Sequence, residues 1–353
     1  MMNRKRWICF AAIAFMAIMA SAQTQNTQLA EALKKYPEAD TNRDGVLTAK
    51  EAQAYRSKMK SGKKQSPTLP VPTHPNVAYG PHERNILDLW LAPSDKPTPL
   101  LVNIHGGGFR GGDKSKISRQ LIEMMNAAGI SVASINYRLT QNGLTAEGEN
   151  QYPVPMHDGA RALQFLRHHA ATYNLDKTRV AATGGSAGGC MLMWLGFHPD
   201  LAQPDHPDPV IRESSRLLAL APKGGQPTVH APTFLEWFGV ESLNLNKQKG
   251  PVQPSSDNET PSEEQLALSI DASPITHLTV DDPPIYLLYN GPNTPVTETT
   301  LWGQWVHHPM LGIKLKEAMD ALGLESYLEY KGSPEITKYD SQNDFIIQKL
   351  SAP

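Results

Sequence analysis

The stretch Thr183-Gly184-Gly185-Ser186-Ala187-Gly188-Gly189 constrains the fold of this chain more than any other. It follows Arg179-Val180-Ala181-Ala182, residues of the kind that fill a buried strand. It precedes Cys190-Met191-Leu192-Met193-Trp194-Leu195, an apolar run suited to a helix packed on that strand. A strand that turns sharply into a helix with a serine at the bend is the G-x-S-x-G elbow. The serine is held at strained φ/ψ, and neighbours without side chains let strand and helix approach closely while Oγ projects into the open. A plain Gly/Ser-rich turn fits the same letters, so the reading depends on whether the chain carries the rest of the apparatus.

Upstream it does. The apolar run Pro99-Leu100-Leu101-Val102 leads into Asn103-Ile104-His105-Gly106-Gly107-Gly108-Phe109. In acyl transfer the tetrahedral intermediate carries a negative oxygen, and consecutive backbone N–H groups can be aimed at it only where no Cβ blocks the approach. Gly107 and Gly108, with the N–H of Ala187 just after the serine, are the candidate donors. With both motifs in place the sequence resembles the α/β-hydrolase superfamily, in the hormone-sensitive-lipase-like and bacterial carbohydrate-esterase-like branch that pairs H-G-G-G with G-x-S-x-G. The resemblance runs from Val77 to the C-terminus. It implies a serine carboxylesterase acting on short acyl esters, with acetyl or feruloyl groups on polysaccharide among them.

The order of elements agrees. A hairpin is predicted over Val77–Gly80 and Asn85–Leu91, then a helix over Lys114–Ala128, a strand over Ile130–Tyr137 and a helix over Pro155–Tyr173. After the elbow come strands at Arg216–Ala221, Ile285–Tyr289 and Tyr327–Tyr330, with helices at Leu311–Leu322 and Asp344–Leu350. Such alternation predicts an α/β fold, a mostly parallel sheet with helices on both faces. The proline-punctuated residues 223–273 read as a lid or substrate-facing insertion, or equally as a structural excursion.

The chain departs from the family pattern at the base. The resemblance implies an acid after the penultimate strand and a histidine after the last, but those places hold Asn290-Gly291-Pro292-Asn293-Thr294-Pro295 and Lys331-Gly332-Ser333-Pro334-Glu335, and no histidine follows His308. A serine without a base is a poor nucleophile at neutral pH. The replacement is His307 or His308, in the loop where the family would put its acid, with Glu335, Asp340 or Glu298 as the orienting carboxylate; His277 is the next base to test. The competing reading is a catalytically degenerate hydrolase that acts as a calcium-binding scaffold or binds ligand without turnover. Metal-dependent hydrolysis finds no H-x-H or H-E-x-x-H pattern.

The N-terminal part is a separate matter. Met1–Ala22 has a basic start, an apolar run and an Ala20-Ser21-Ala22 cleavage site, the pattern of a signal peptide for export to the periplasm or beyond. Residues 23–59 form an EF-hand module around Asp40-Thr41-Asn42-Arg43-Asp44-Gly45-Val46-Leu47-Thr48-Ala49-Lys50-Glu51. In that loop Asp40, Asn42, Asp44, the Val46 carbonyl, Thr48 through water and Glu51 would surround a non-catalytic Ca2+, and Gly45 permits the turn. No second loop is evident, so the hand binds weakly, pairs between chains, or steadies its own module. Residues 60–75 read as a linker and 76–353 as the hydrolase domain. A formal charge of −2 gives no basic surface for nucleic acid, and no stretch is long and apolar enough for a membrane span. Removing the signal leaves Cys190 without a disulfide partner.

Overall fold

The computed structural model describes residues 29–31, 33–34, 36–52, 54–55, 68–240, 261–297, 300 and 302–352. They fall into two compact units, divided between Thr68 and Leu69. The signal-peptide segment Met1–Ala22 and the candidate acid Glu298 lie outside the described residues, as do 241–260 of the insertion.

In the smaller unit, helical residues at 29–31 and 33–34 lead through a 3-10 turn, Pro37–Ala39, into the loop beginning at Asp40; helix resumes at Ala49. Ala39 and Leu47 are buried, and the Tyr36 and Tyr55 rings meet at 5.9 Å.

The larger unit begins earlier than the sequence reading placed it. Residues 69–75, expected in the linker, are tied to the sheet: Trp90 Nε1 donates to the Pro70 carbonyl at 2.8 Å and the Leu91 N–H to Thr73 Oγ1 at 3.1 Å. Eight strands follow: β1 (His74–Ala78), β2 (Ile86–Trp90), β3 (Thr98–Ile104), β4 (Ser131–Ile135), β5 (Leu175–Gly185), β6 (Leu220–Lys223), β7 (Ile285–Pro292) and β8 (Ser326–Lys331). Their order is β1-β2-β4-β3-β5-β6-β7-β8, with β2 antiparallel to β1 and β4 and every later pairing parallel. This is the mostly parallel sheet expected of an α/β-hydrolase.

Among the described residues of this unit eight helices accompany the sheet: α1 (Arg119–Ala127), α2 (Val154–His168), α3 (Ala187–Phe197), α4 (Ala231–Phe238), α5 (Glu263–Asp271), α6 (Trp302–Trp305), α7 (Pro309–Ala321) and α8 (Gln342–Ser351). Side-chain alternation along β3 sorts the core. Leu100, Val102 and Ile104 join a cluster with α2, α3 and α7, while Leu101 joins one with α1 and α8 on the other face. Every residue of α3 is buried, as befits a helix apolar on all sides at the centre of a domain. Each large side chain there contributes about 1.5–3 kcal/mol by leaving water.

Two expected elements differ for physical reasons. Lys114–Ala128 is not one helix: Lys114–Lys116 is a 3-10 turn capped by Asp113, and Lys114 Nζ turns inward to Asp88 at 2.6 Å. Chain direction changes at Ile117 and Ser118 before α1 starts. Strand β6 begins at Leu220 rather than Arg216. Ser214 and Arg216 instead give their carbonyls to the buried Arg167, whose Nη1 meets the Ser214 oxygen at 2.7 Å and Nη2 the Arg216 oxygen at 2.5 Å.

Candidate active site

Ser186 stands between β5 and α3 with φ 53° and ψ −121°. Its N–H donates to the Lys223 carbonyl at 2.9 Å, and its own carbonyl accepts from Cys190 N at 2.9 Å. The turn is possible because the chain is bare around it. A Cβ on Gly188 would lie 2.1 Å from the Ile104 carbonyl oxygen, and one on Gly106 would lie 2.6 Å from that of Gly185. Elbow and glycine loop are thus in direct backbone contact.

Gly107 and Gly108 take φ 121° and 62°. Among the described residues, the N–H groups of Gly107, Gly108 and Ala187 have no internal acceptor. Unpaired donors beside a candidate nucleophile are what a developing oxyanion requires. The loop is held rigidly. Arg84 reaches the carbonyls of Tyr137 at 2.7 Å and Gly112 at 3.1 Å, and His105 stacks on Tyr137 at 4.3 Å while its Nδ1 donates to the Gly106 carbonyl at 2.8 Å. Burial lowers the pKa of His105 and keeps the ring neutral. It is a loop-former rather than a base.

His307 lies just beyond α6, with Nε2 2.9 Å from Ser186 Oγ and Nδ1 2.8 Å from the Gly303 carbonyl. A carbonyl has no proton to give, so Nδ1 carries the hydrogen and Nε2 presents its lone pair to the serine hydroxyl. His308 points elsewhere. It is buried, accepts from Met310 N at 3.1 Å as the N-cap of α7, donates through Nε2 to the Thr294 carbonyl at 2.8 Å, and meets Phe238 of α4 edge-on at 5.2 Å.

The orienting-acid expectation for Glu335 is not met by this geometry. Its place opposite Nδ1 is taken by Gly303, and Glu335 lines a different depression with Ile313, Lys316 and Lys338. Asp340 meets Asp344 at the start of α8, its N–H on Oδ2 at 3.1 Å. His277 donates to the Asp271 carbonyl at 2.6 Å and packs on Trp194 and His198.

Two residues that sequence reasoning missed complete the site. Gln226 is buried, and its Nε2 donates to the Gly224 carbonyl at 3.0 Å and to the Val306 carbonyl, immediately before His307, at 2.5 Å. It ties the loop after β6 to the histidine. A lone polar letter between Gly225 and Pro227 was the available signal. Lys223, at the end of β6, lines with Ser186 and His307 a cleft of about 720 Å³.

In the smaller unit, the loop carboxylates and Asn42 accept hydrogen bonds from the loop itself. Asp40 takes the N–H groups of Arg43 at 2.8 Å and Gly45 at 2.9 Å, Asn42 Oδ1 that of Asp44 at 3.1 Å, and Asp44 that of Val46 at 2.8 Å. Glu51 folds across the loop to the hydroxyls of Thr48 at 2.6 Å and Thr41 at 2.9 Å. The Thr48 hydroxyl first, then its N–H and Thr41, bring the Glu51 pKa down to about 2. Among the described residues no three His, Cys, Asp or Glu side chains gather as a metal cluster. The oxygen-only donor set suits a hard cation, and Glu51 would exchange its threonine bonds for the ion.

The BD-FAE family profile matches residues 87–299. The probable carboxylic ester hydrolase LipM of Mycobacterium tuberculosis is 29% identical over 219 residues, 61% of this chain and 46% of that protein. Esterase LipQ of the same organism is 25% identical, over 69% of this chain and 55% of its own length. The chain thus spans about half the length of these curated relatives. Among solved structures, a truncated carbohydrate esterase from gut microbiota superposes with TM-score 0.59 at 19% identity, covering 82% of this chain and 100% of that one. An acetyl ester-xyloside bifunctional hydrolase from Caldicellulosiruptor lactoaceticus gives 0.53 at 20% identity, covering 69% and 76%. These two likenesses concern the fold.

Proposed function

Because the chain belongs to the BD-FAE family, we propose that it is a serine carboxylesterase cleaving short-chain, carbohydrate-linked esters. The observation that carries this reading is the 2.9 Å contact between His307 Nε2 and Ser186 Oγ beside unpaired N–H groups. In the reaction Oγ attacks the ester carbonyl as its proton passes to Nε2, and the oxyanion takes the N–H groups of Gly107, Gly108 and Ala187. His307 then gives the proton to the departing alcohol, leaving an acyl-enzyme. Water, deprotonated by the same nitrogen, attacks the acyl carbonyl and releases the acid and free Ser186. The Gly303 carbonyl holds the ring throughout. The relatives named as esterases and the carbohydrate esterase fold neighbour support ester and carbohydrate as the substrate class.

One observation favours a binding-only protein: Nδ1 meets a neutral carbonyl, which stabilises an imidazolium less than a carboxylate does. A fluorophosphonate probe separates the readings. Labelling of the mature protein that disappears in Ser186→Ala supports the esterase; an unlabelled, folded wild type refutes it.

The first unit is proposed to bind one Ca2+ at Asp40, Asn42, Asp44, Val46, Thr48 and Glu51, with no part in the chemistry, in an exported protein whose signal segment is Met1–Ala22. Calorimetric titration with calcium should give one site per chain that Glu51→Gln abolishes. No heat in the wild type rejects the assignment. Mass spectrometry of the exported protein should find its N-terminus at Gln23; an intact Met1 rejects the signal segment.

A further inference from the structure

Lys223 is joined to the nucleophile by one hydrogen bond, its carbonyl accepting the Ser186 N–H at 2.9 Å, and it lines the same cleft as Ser186 and His307. Several other lysines of this unit are matched to carboxylates, Lys114 with Asp88, Lys316 with Asp320, and Lys338 and Lys349 with Glu325, while Lys96, Lys116 and Lys331 are not, among the described residues. Among the described residues the Lys223 ammonium has no hydrogen bond and no ion pair. The rest of the described lining is glycine, proline, hydroxyl, amide, imidazole and Val296, with no carboxylate. Among the described residues, Lys223 therefore lines the cleft with no carboxylate beside it.

An ordinary surface lysine also lacks a partner, but it does not share a cleft with the candidate nucleophile and base. Lys223 keeps exposed surface that borders a concavity, and desolvation alone lowers its pKa. A cation at a cleft whose described lining has no carboxylate attracts an anionic ligand over a neutral one, so the arrangement discriminates between them. Lys223 is not a second base for the serine, because His307 already occupies the hydroxyl.

We propose that Lys223 binds a substrate carboxylate, so that the preferred esters carry an anionic group close to the scissile bond. This rests on the esterase reading. The carboxylate can belong to the acyl part or to the alcohol part, and the test distinguishes them. On the acyl side, mono-4-nitrophenyl glutarate is compared with 4-nitrophenyl valerate; on the alcohol side, 4-acetoxybenzoate is compared with 4-methylphenyl acetate. For each pair the ratio of kcat/KM, anionic over neutral, is measured in wild type, Lys223→Ala, Lys223→Arg and Lys223→Glu. Intrinsic reactivity cancels when one ratio is compared between proteins.

In one pair the ratio should fall at least about tenfold in Lys223→Ala, fall further in Lys223→Glu, and recover in Lys223→Arg, as for a charge pair losing one partner. In wild type it should shrink as salt rises and as pH climbs through the deprotonation of Lys223. Ratios unchanged in both pairs overturn the proposal while leaving the esterase intact. If no ester is turned over, glutarate and 4-hydroxybenzoate are titrated into wild type and Lys223→Ala by NMR. Binding lost with the lysine then sustains the anion site and refutes the esterase; equal binding, or none, refutes both.

Discussion

Gln226 sets the position of His307 through the backbone, and Gln226→Leu tests this. The substitution keeps much of the side-chain volume and removes the donor that serves the Gly224 and Val306 carbonyls. A buried acceptor left without a partner costs about 1–3 kcal/mol, so two give about 2–6 kcal/mol. The segment can recover that energy only by moving the Val306 carbonyl toward water, which draws His307 away from Ser186. At about 1.4 kcal/mol per decade, kcat should fall by between about 30-fold and 10⁴-fold, with KM nearly unchanged. The assay is hydrolysis of 4-nitrophenyl butyrate, with the melting temperature followed in parallel. Gln226→Glu should be no better, since a carboxylate cannot donate to either carbonyl. In a double-mutant cycle, Gln226→Leu should cost almost nothing further once His307 is Ala, because the base it places is gone. Wild-type kcat in a folded Gln226→Leu, or losses that multiply independently with His307→Ala, would refute the reasoning.

His307→Ala should lower kcat by at least about a thousandfold. His308→Ala should instead lower the melting temperature through a lost helix cap worth about 1 kcal/mol, and Glu335→Gln should match wild type in the same ester assay; a large loss of kcat in Glu335→Gln would return the acid to that residue. Gly107→Ala should be inactive or unfolded, because its Cβ would come 2.1 Å from the Gly111 carbonyl oxygen, and an active, folded variant would show the loop to be loose. Glu325 has its pKa brought from 4.5 to about 2: desolvation opposes the shift, but hydrogen bonds from Lys338, Lys349 and Tyr327 outweigh it. Its contribution to stability is therefore present above pH 4.5 and lost as pH falls toward 2. The melting-temperature gap between wild type and Glu325→Gln should close over that window, and a gap independent of pH would refute the linkage.

The sheet and the elbow were legible because their signals are local. Glycines at 184, 185, 188 and 189 and the alternation along Leu100–Ile104 state which backbones must touch and which faces are buried. The 3-10 break after Lys116 was not legible, since it comes from the Lys114–Asp88 pair, whose partners are far apart in sequence. The histidine pair shows the same limit. Spacing singled out His307-His308 but could not say which faces the serine, because that depends on α7 taking His308 as its cap and on Phe238 closing over it. Gln226 was invisible for the same reason, since one of its two acceptors, the Val306 carbonyl, lies 80 residues away.

The reading of Glu335 went astray because it assumed that the third member of the catalytic set must be a side chain. A side-chain acid would sit on a loop of its own and reach the imidazole from outside; here the acceptor lies four residues before the histidine, on the short helix α6. The ring is therefore oriented by the segment that carries it. That segment is fixed in turn by Trp305, whose indole donates to the Thr300 carbonyl at 3.1 Å and packs on Phe238 at 5.0 Å, and by Gln226. A neutral carbonyl fixes the tautomer as well as a carboxylate would, but would give less stabilisation to the imidazolium of the proposed mechanism, in which Ser186 attacks. On the proposed mechanism more of the barrier would then be lowered at the oxyanion loop, which is consistent with the rigid hold of Arg84, His105 and Tyr137 on it. It follows that loosening this hold, as in Arg84→Ala, should lower kcat more than KM, by up to the ~10²–10³-fold of a lost oxyanion donor. If Arg84→Ala raises KM alone, the loop binds substrate without stabilising the transition state, and the division of labour argued here is wrong.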